Sequence, residues 1–195
     1  MRYRALFYGR ESGSFMNITE SRVVKKEMMT PAQSLCTRCG LCCNGVLFVD
    51  VELRKADSAA RLEALHFELF AKGRKLAFEQ PCRCLDGSHC SVYESRPAHC
   101  RAFKCALLQQ VGAGKATVAS ALQTIARAKR MVKRVEGMLS RSGEDDPALP
   151  LMHRYAKVVG APMELSGRKG RDPLKGLMPV MADLMELLRV RFLAR

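Results

Sequence analysis

Nine cysteines lie between Cys36 and Cys105, and they are the densest group of reactive side chains in this 195-residue sequence. The first four form the run Cys36-Thr-Arg-Cys39-Gly-Leu-Cys42-Cys43, which has C-x2-C-x2-C-C spacing. Two thiolates separated by two residues can close on one metal ion, because the turn between them aims both sulfurs inward. A third at the same spacing is typical of runs that hold iron–sulfur clusters. The run therefore predicts metal ligation.

The remaining ligands are expected further along the chain, at Cys82, Cys90, Cys100 and Cys105. On a regular helix Cys100 and Cys105 would lie about 140° apart, so a single ion could not take both without distortion. The adjacent Cys42 and Cys43 raise the same difficulty. Both observations favour a polynuclear cluster, or two neighbouring metals, over one ion held by four thiolates.

We therefore predict eight metal ligands: Cys36, Cys39, Cys42, Cys43, Cys82, Cys90, Cys100 and Cys105. Cys84 is the spare cysteine, because it follows Cys82 by two residues and falls outside the other spacings. His89 and His99 each precede a cysteine and are alternative ligands, although a loop histidine is more often a surface residue. A vicinal Cys42–Cys43 disulfide would instead be a redox element.

The full pattern is C-x2-C-G-x-C-C, then P-C, then C-x-V-Y-x-x-R-P-x-x-C-R-x-F-x-C, and it resembles the YkgJ-type cysteine-cluster family. Members of that family are described as zinc- or iron-chelating domains. The resemblance covers about residues 34–107 and implies zinc or iron as the cofactor, with an iron–sulfur cluster as one form of iron. Besides the eight cysteines, the matching positions are Gly40, Pro81, Tyr93, Arg96, Pro97, Arg101 and Phe103.

These matching positions have physical roles beside a thiolate site. Arg96 and Arg101 flank Cys100, so their charges could offset the negative charge of the thiolates, with ordinary surface charge as the alternative. Pro97 favours the start of a helix. Tyr93 and Phe103 are expected to wall the site from water.

The elements around the motifs predict an α+β fold, with a small irregular cysteine-rich metal-binding module followed by a mostly α-helical C-terminal half. Thr30-Pro31 predicts a helix start before the cysteines. Short apolar runs predict strands at 45–51 and 76–79. Apolar residues at helical spacing predict helices at 55–70, 97–111, 115–140 and 151–159, and a last segment that starts near 172, restarts at Pro179 and ends near Leu193.

Three parts of the chain follow from this division. Residues 1–29 are predicted to be a flexible leader or an upstream extension, 30–110 the cysteine-cluster metal-binding domain, and 111–195 a helical extension packed on it. The apolar stripe of the long helix should pack on the last helix, pairing Val118, Leu122, Ile125, Val132 and Leu139 with Leu177, Met181, Leu184 and Leu188.

The positive charge is concentrated beside the cysteines. The chain has 33 Lys and Arg against 19 Asp and Glu, a net charge of +14. On the long helix 115–140, the face opposite the apolar stripe carries Arg127, Lys129, Arg130, Lys133 and Arg134. Such a face is either solvated surface or a site for an acidic protein or a nucleic acid. With neither a signal-like nor a membrane-spanning segment, we expect a cytoplasmic protein without a membrane partner.

The function predicted from the sequence is metal binding through the cysteine cluster, in a structural or redox role. Two alternatives remain open: a metal-dependent protein-modification enzyme, and a basic nucleic-acid-associated protein stapled by metal. The sequence has no P-loop, no dinucleotide-binding glycine motif, no G-x-S-x-G and no H-E-x-x-H. The choice between zinc and an iron–sulfur cluster is open, because four to eight thiolates suit both.

Overall fold

A computed structural model describes residues 30–160 and 173–194, so the predicted leader at 1–29 lies outside the described residues. Helices and small antiparallel sheets confirm the α+β fold class. The α-helices of the described part are α1 (Pro31–Cys39), α2 (Ala59–Ala64), α3 (Ala98–Ala102), α4 (Ala106–Gly112), α5 (Val118–Arg141), α6 (Leu151–Gly160) and α7 (Pro173–Leu188). A 3₁₀ helix at Tyr93–Ser95 and a π-helical segment at Arg189–Leu193, which continues α7, are also present. Its strands are β1 (Asp50–Glu52), β2 (Leu69–Lys72), β3 (Lys75–Glu79), β4 (Leu85–Asp86) and β5 (His89–Cys90). None of the described helices is long and apolar enough to cross a membrane.

Helix α1 begins at the predicted position and carries the first two cysteines. The Thr30 side chain accepts a hydrogen bond from the Gln33 backbone N–H at 3.2 Å, and the Gln33 side chain accepts one from the Thr30 N–H at 2.9 Å. This capping box satisfies two amides that have no partner within the helix. Gly40 ends the helix in the left-handed conformation, at a φ of 72°. The chain can therefore reverse direction between Cys39 and Cys42.

The predicted helix at 55–70 is only partly correct. Helix α2 ends at Ala64, and His66 has a φ of 63°, which breaks the helical path. Strand β2 then pairs with β3, and the sheet has the antiparallel order β1-β3-β2. The ring of Phe67 packs against the ring of Phe78 in β3, with 4.6 Å between the ring centroids. Packing and pairing against β3 thus outweigh the helical spacing of the leucines in this segment.

The predicted helix at 97–111 is wrong, and the error affects the relative positions of Cys100 and Cys105. It is broken into α3 and α4, with Phe103 and Cys105 in extended conformations between them. The Phe103 ring packs edge-on against Phe48 with 4.9 Å between centroids, which stabilises the break. The angle between Cys100 and Cys105 on one helix therefore does not apply, because the two residues belong to different segments.

The helical half has the predicted pairing. Helices α5 and α7 pack together, and the predicted restart at Pro179 is wrong because α7 runs through that residue. Buried side chains on both sides of Pro179, Leu177 and Met181, lie in one core and hold the two turns in line. The α5–α7 interface buries Ile125, Val132, Leu139, Leu177, Met181, Leu184 and Leu188, with Val118 and Leu122 partly buried at its margin.

The described residues form two apolar clusters, which we call the helical core and the sheet core. The helical core combines α5, α7 and the start of α4 with residues close to the first cysteines, including Leu35, Leu41 and Val46. The sheet core is smaller and consists of Val51, Leu53, Leu62, Phe67, Phe78 and Cys84. The cysteine-rich part and the C-terminal helical part of the chain thus both contribute to the helical core.

Gly45 fixes the segment after the cysteine run against the start of α6. Its carbonyl accepts a hydrogen bond from the Leu151 N–H at 3.0 Å, and its φ is 78°. A Cβ at this position would lie 2.9 Å from the Cα of Pro150. Because residues 45–49 form this contact and turn, the strand predicted at 45–51 is shortened to Asp50–Glu52.

Gly45→Ala is expected to destabilise the protein more than Gly87→Ala, its matched control. Both glycines have a positive φ, but a Cβ at Gly87 would meet no atom within 4 Å. Gly87→Ala should cost about 1–2 kcal/mol for the left-handed backbone alone. Gly45→Ala adds the contact with Pro150, and we expect roughly twice that loss in urea unfolding. Equal losses would show that the Gly45–Pro150 approach is unimportant.

Candidate metal centre

A cavity of about 140 Å³ is lined by residues of both the helical core and the sheet core. Eight of the nine cysteines line it: Cys36, Cys39, Cys42, Cys43, Cys82, Cys90, Cys100 and Cys105. Cys84 is not among the lining residues and is buried in the sheet core. The structure therefore brings together the cysteines predicted as ligands and places the predicted spare elsewhere.

Four of these cysteines are carried by α1, the turn after it and the start of α4. We call this set the helix-side group: Cys36, Cys39, Cys42 and Cys105. Cys39 and Cys105 pack against the helical core. The Cys39 sulfur accepts a hydrogen bond from the Leu41 N–H, and the Cys105 sulfur accepts from the N–H groups of Leu107 and Leu108. Backbone N–H groups stabilise a thiolate at these two positions.

The other four cysteines lie around the small sheets and α3. We call this set the sheet-side group: Cys43, Cys82, Cys90 and Cys100. Cys82 and Cys100 pack against the sheet core. The Cys43 carbonyl accepts a hydrogen bond from the Cys82 N–H at 2.7 Å, which joins the end of the cysteine run to this side. The Cys82 and Cys90 sulfurs accept hydrogen bonds from the N–H groups of Cys84 and Val92.

Burial keeps these thiols protonated. It raises the pKa of Cys39 to about 11 and the pKa values of Cys43, Cys82 and Cys100 to about 12. Among the described residues, no three His, Cys, Asp or Glu side chains already stand in an arrangement that could hold one metal ion. A metal ligand must be a thiolate, so binding here would release protons and draw the sulfurs together.

Arg96 is the cation of the cavity wall. Burial raises the pKa of the Cys43 and Cys100 thiols, and the positive charge of Arg96 acts in the opposite direction on both. Its guanidinium carbon lies 3.7 Å from the centroid of the Tyr93 ring, and its Nε donates to the Tyr93 carbonyl at 2.7 Å. Arg101 is exposed and does not line the cavity. The role predicted for both arginines therefore falls to Arg96 alone.

The aromatic wall predicted from the sequence is present. Tyr93 and Phe103 both line the cavity, and Tyr93 forms a side-chain hydrogen bond with Cys36. Phe48, which packs against Phe103, lines it as well. Of the two alternative histidines, His99 lines the cavity and His89 does not. Apolar rings reduce the access of water and so strengthen interactions between charges at the sulfurs.

Gln80 was not expected from the sequence, and it leaves an unsatisfied group on the cavity wall. Its side chain is buried, and its Oε1 has no hydrogen-bond donor among the described residues. Gln80 lines the same cavity and stands two residues before Cys82. Gln80 is thus a buried polar residue of the cavity wall whose side-chain oxygen lacks a donor among the described residues.

Lys129 departs from the outward basic face predicted for α5. Its Nζ donates to the Arg38 carbonyl at 2.8 Å and to the Ser88 Oγ at 2.6 Å. It thus connects α5 to the end of α1 and to the turn between β4 and β5. The sequence gives no signal for this contact, because residues 88 and 129 are far apart in the chain.

Comparison with known proteins identifies the segment that contains this cavity. Residues 35–127 match the family model "CxxCxxCC: Putative zinc- or iron-chelating domain". No curated protein and no solved structure matches the chain. The match begins in α1 and ends in α5, so it contains all eight cysteines of the cavity. Over residues 35–127 the chain is therefore similar to this zinc- or iron-chelating domain.

Proposed function

We propose that the cavity-lining thiolates chelate zinc or iron, and that the bound metal has a structural or redox role. The observation that carries this proposal is the separation of the cysteines: eight line one cavity and the ninth lies in an apolar core. Chance burial of unligated cysteines would not sort them in this way. The family match over residues 35–127 supports the same chemistry.

The residues present fit such a metal. Thiolates are soft ligands that suit zinc and iron–sulfur clusters, and Arg96 offsets part of their negative charge. Zinc would cross-link the surrounding segments without redox chemistry, whereas an iron–sulfur cluster would add electron transfer. In either case the protein's part is to hold the thiolates, exclude water and supply the N–H donors to sulfur.

Metal removal is expected to destabilise the protein. The sheets beside the cavity consist of strands of two to five residues, which bury little apolar surface. A loss of about 5 kcal/mol would lower the melting temperature by roughly 10–20 °C for a chain of this size. The measurement is thermal melting of anaerobically purified protein before and after chelation, together with metal and sulfide analysis.

The same analysis separates the metals, since iron with sulfide gives brown protein and zinc gives colourless protein. The Cys84→Ala variant is the control and should keep its full metal content, because Cys84 does not line the cavity. Circular dichroism and melting that are unchanged after complete metal removal would contradict a structural role. Full metal content in variants of the cavity cysteines would contradict chelation itself.

Arg96→Gln is expected to weaken metal binding about tenfold or more, as is usual when a group beside the ligands is lost. Arg101→Gln is the matched control, since it removes the same charge from the other side of Cys100, where the side chain is exposed. Competition with a chromophoric chelator measures both affinities. Equal effects of the two variants would mean that Arg96 acts only through the general field of the protein.

We also propose that the outward side of α5 binds a polyanionic partner, either a nucleic acid or an acidic protein. Four exposed cations define this α5 basic face: Arg127, Arg130, Lys133 and Arg134. None of the four forms an ion pair within the described residues. Unpaired cations on one rigid helix can bind several phosphates or carboxylates together.

Reversal of three of these charges tests the proposal. The variant with Arg130, Lys133 and Arg134 changed to Glu should bind a fluorescent nucleic acid or an acidic peptide at least about tenfold more weakly. Its salt dependence on DNA should fall by about three units of slope, since three phosphate contacts are lost. The matched control changes three other exposed cations, Arg54, Lys55 and Arg74, to Glu. Equal losses in both variants would show that only net charge matters.

A further inference from the structure

Eight thiolates are twice the number that one metal unit needs. Four thiolates complete the shell of a zinc ion, and four complete one iron–sulfur cluster. The cavity holds eight, and two of them, Cys42 and Cys43, are adjacent in sequence. The question raised by the structure is how these eight are divided.

Four of the eight cavity cysteines pack against one core or the other. Cys39 and Cys105 pack against the helical core, whereas Cys82 and Cys100 pack against the sheet core. The α1 and α4 helices contact each other, so Cys36 and Cys39 are held near Cys105. No cysteine of the cavity belongs to both cores.

Backbone hydrogen bonds distinguish the two adjacent cysteines, Cys42 and Cys43. The Cys43 N–H donates to the Gly40 carbonyl at 2.8 Å, so a tight turn brings the chain back towards α1. The Cys43 carbonyl, in contrast, accepts from Cys82 at 2.7 Å. The Cys43 backbone thus joins the turn after α1, which contains Cys42, to the sheet-side segment that contains Cys82.

The influence of the thiols on one another agrees with this division. The thiols close enough to act on Cys42 are Cys39, Cys43, Cys105 and Cys36, three of which are helix-side. The thiols close enough to act on Cys43 are Cys100 and Cys90, both sheet-side, and Cys36. The groups therefore meet where Cys43 lies beside Cys42 and Cys36.

We infer that the eight cysteines form two four-thiolate metal centres, one from the helix-side group and one from the sheet-side group. Cys36, Cys39, Cys42 and Cys105 hold the first thiophilic metal unit, and Cys43, Cys82, Cys90 and Cys100 hold the second. This inference rests on the proposed function of metal chelation. Each group contains two sulfurs beside backbone N–H groups, which would stabilise thiolates in both centres.

Titration of the metal-free full-length chain with Co²⁺ under anaerobic conditions tests the division. Co²⁺ bound by four thiolates has strong absorption bands in the visible and near ultraviolet, which report the ligands directly. We expect the unmodified chain to saturate at two equivalents. Native mass spectrometry of the same samples should show species with one and two ions.

Three double variants, each lacking two cysteines, provide the matched comparison. Cys39→Ser with Cys105→Ser should leave one tight equivalent, and so should Cys82→Ser with Cys100→Ser. Cys39→Ser with Cys100→Ser removes one ligand from each group and should leave none. The Cys84→Ala control should keep both.

Several results would overturn the inference. Saturation of the unmodified chain at one equivalent excludes two centres even if a double variant fails to fold. Equal loss in all three double variants would indicate one shared polynuclear cluster. No thiolate bands at any Co²⁺ concentration, with Zn²⁺ also unbound, would overturn the proposed function as well as the division.

Discussion

The structure depends on the contact between two apolar cores, which meet at a cavity lined by cysteine sulfurs. Most small domains have apolar side chains at such a contact, whereas this chain has eight thiols around one cavity. Burial raises their pKa values far above neutral pH, so the uncharged thiols can line the cavity without unpaired charge. Metal binding would replace protons with cations at the same positions. Folding and metal loading would then be linked through these sulfurs.

The packed helices α5 and α7 give the cysteine segments a fixed support. Helix α1 has nine residues and would be marginal by itself in water. Leu35 and Leu41, on either side of its C-terminal end, are buried in the helical core with α5 and α7. Lys129 adds direct hydrogen bonds from α5 to the Arg38 carbonyl and to Ser88. The long basic helix is thus part of the scaffold of the cavity, and the family match extends into it.

Much of this arrangement could be predicted from local patterns. The C-x2-C run, the Thr30-Pro31 helix start and the apolar stripe of α5 depend on neighbouring residues, and the structure contains the helix start and the stripe as expected. Helix 97–111 failed because the edge-on contact of Phe103 with Phe48 is a tertiary interaction. For Arg101 the structure agrees with the surface alternative. The outward position predicted for Lys129 is wrong, because its hydrogen bonds to the Arg38 carbonyl and to Ser88 are tertiary contacts. The ligand set and the domain boundaries stay predictions, since their definition requires the metal and the isolated parts.

The two cores differ in strength, and this difference has a consequence for the two proposed centres. The helix-side cysteines are supported by helices of up to 24 residues, whose packing does not need metal. The sheet-side cysteines are joined by strands of two to five residues around six buried side chains. Regions with few buried apolar contacts open at a lower free energy, so we expect the sheet side to open first when metal is absent. A metal at the sheet-side group would therefore contribute mainly to folding. A metal at the helix-side group would sit on a scaffold that is already formed, where its chemistry is less tied to the integrity of the fold.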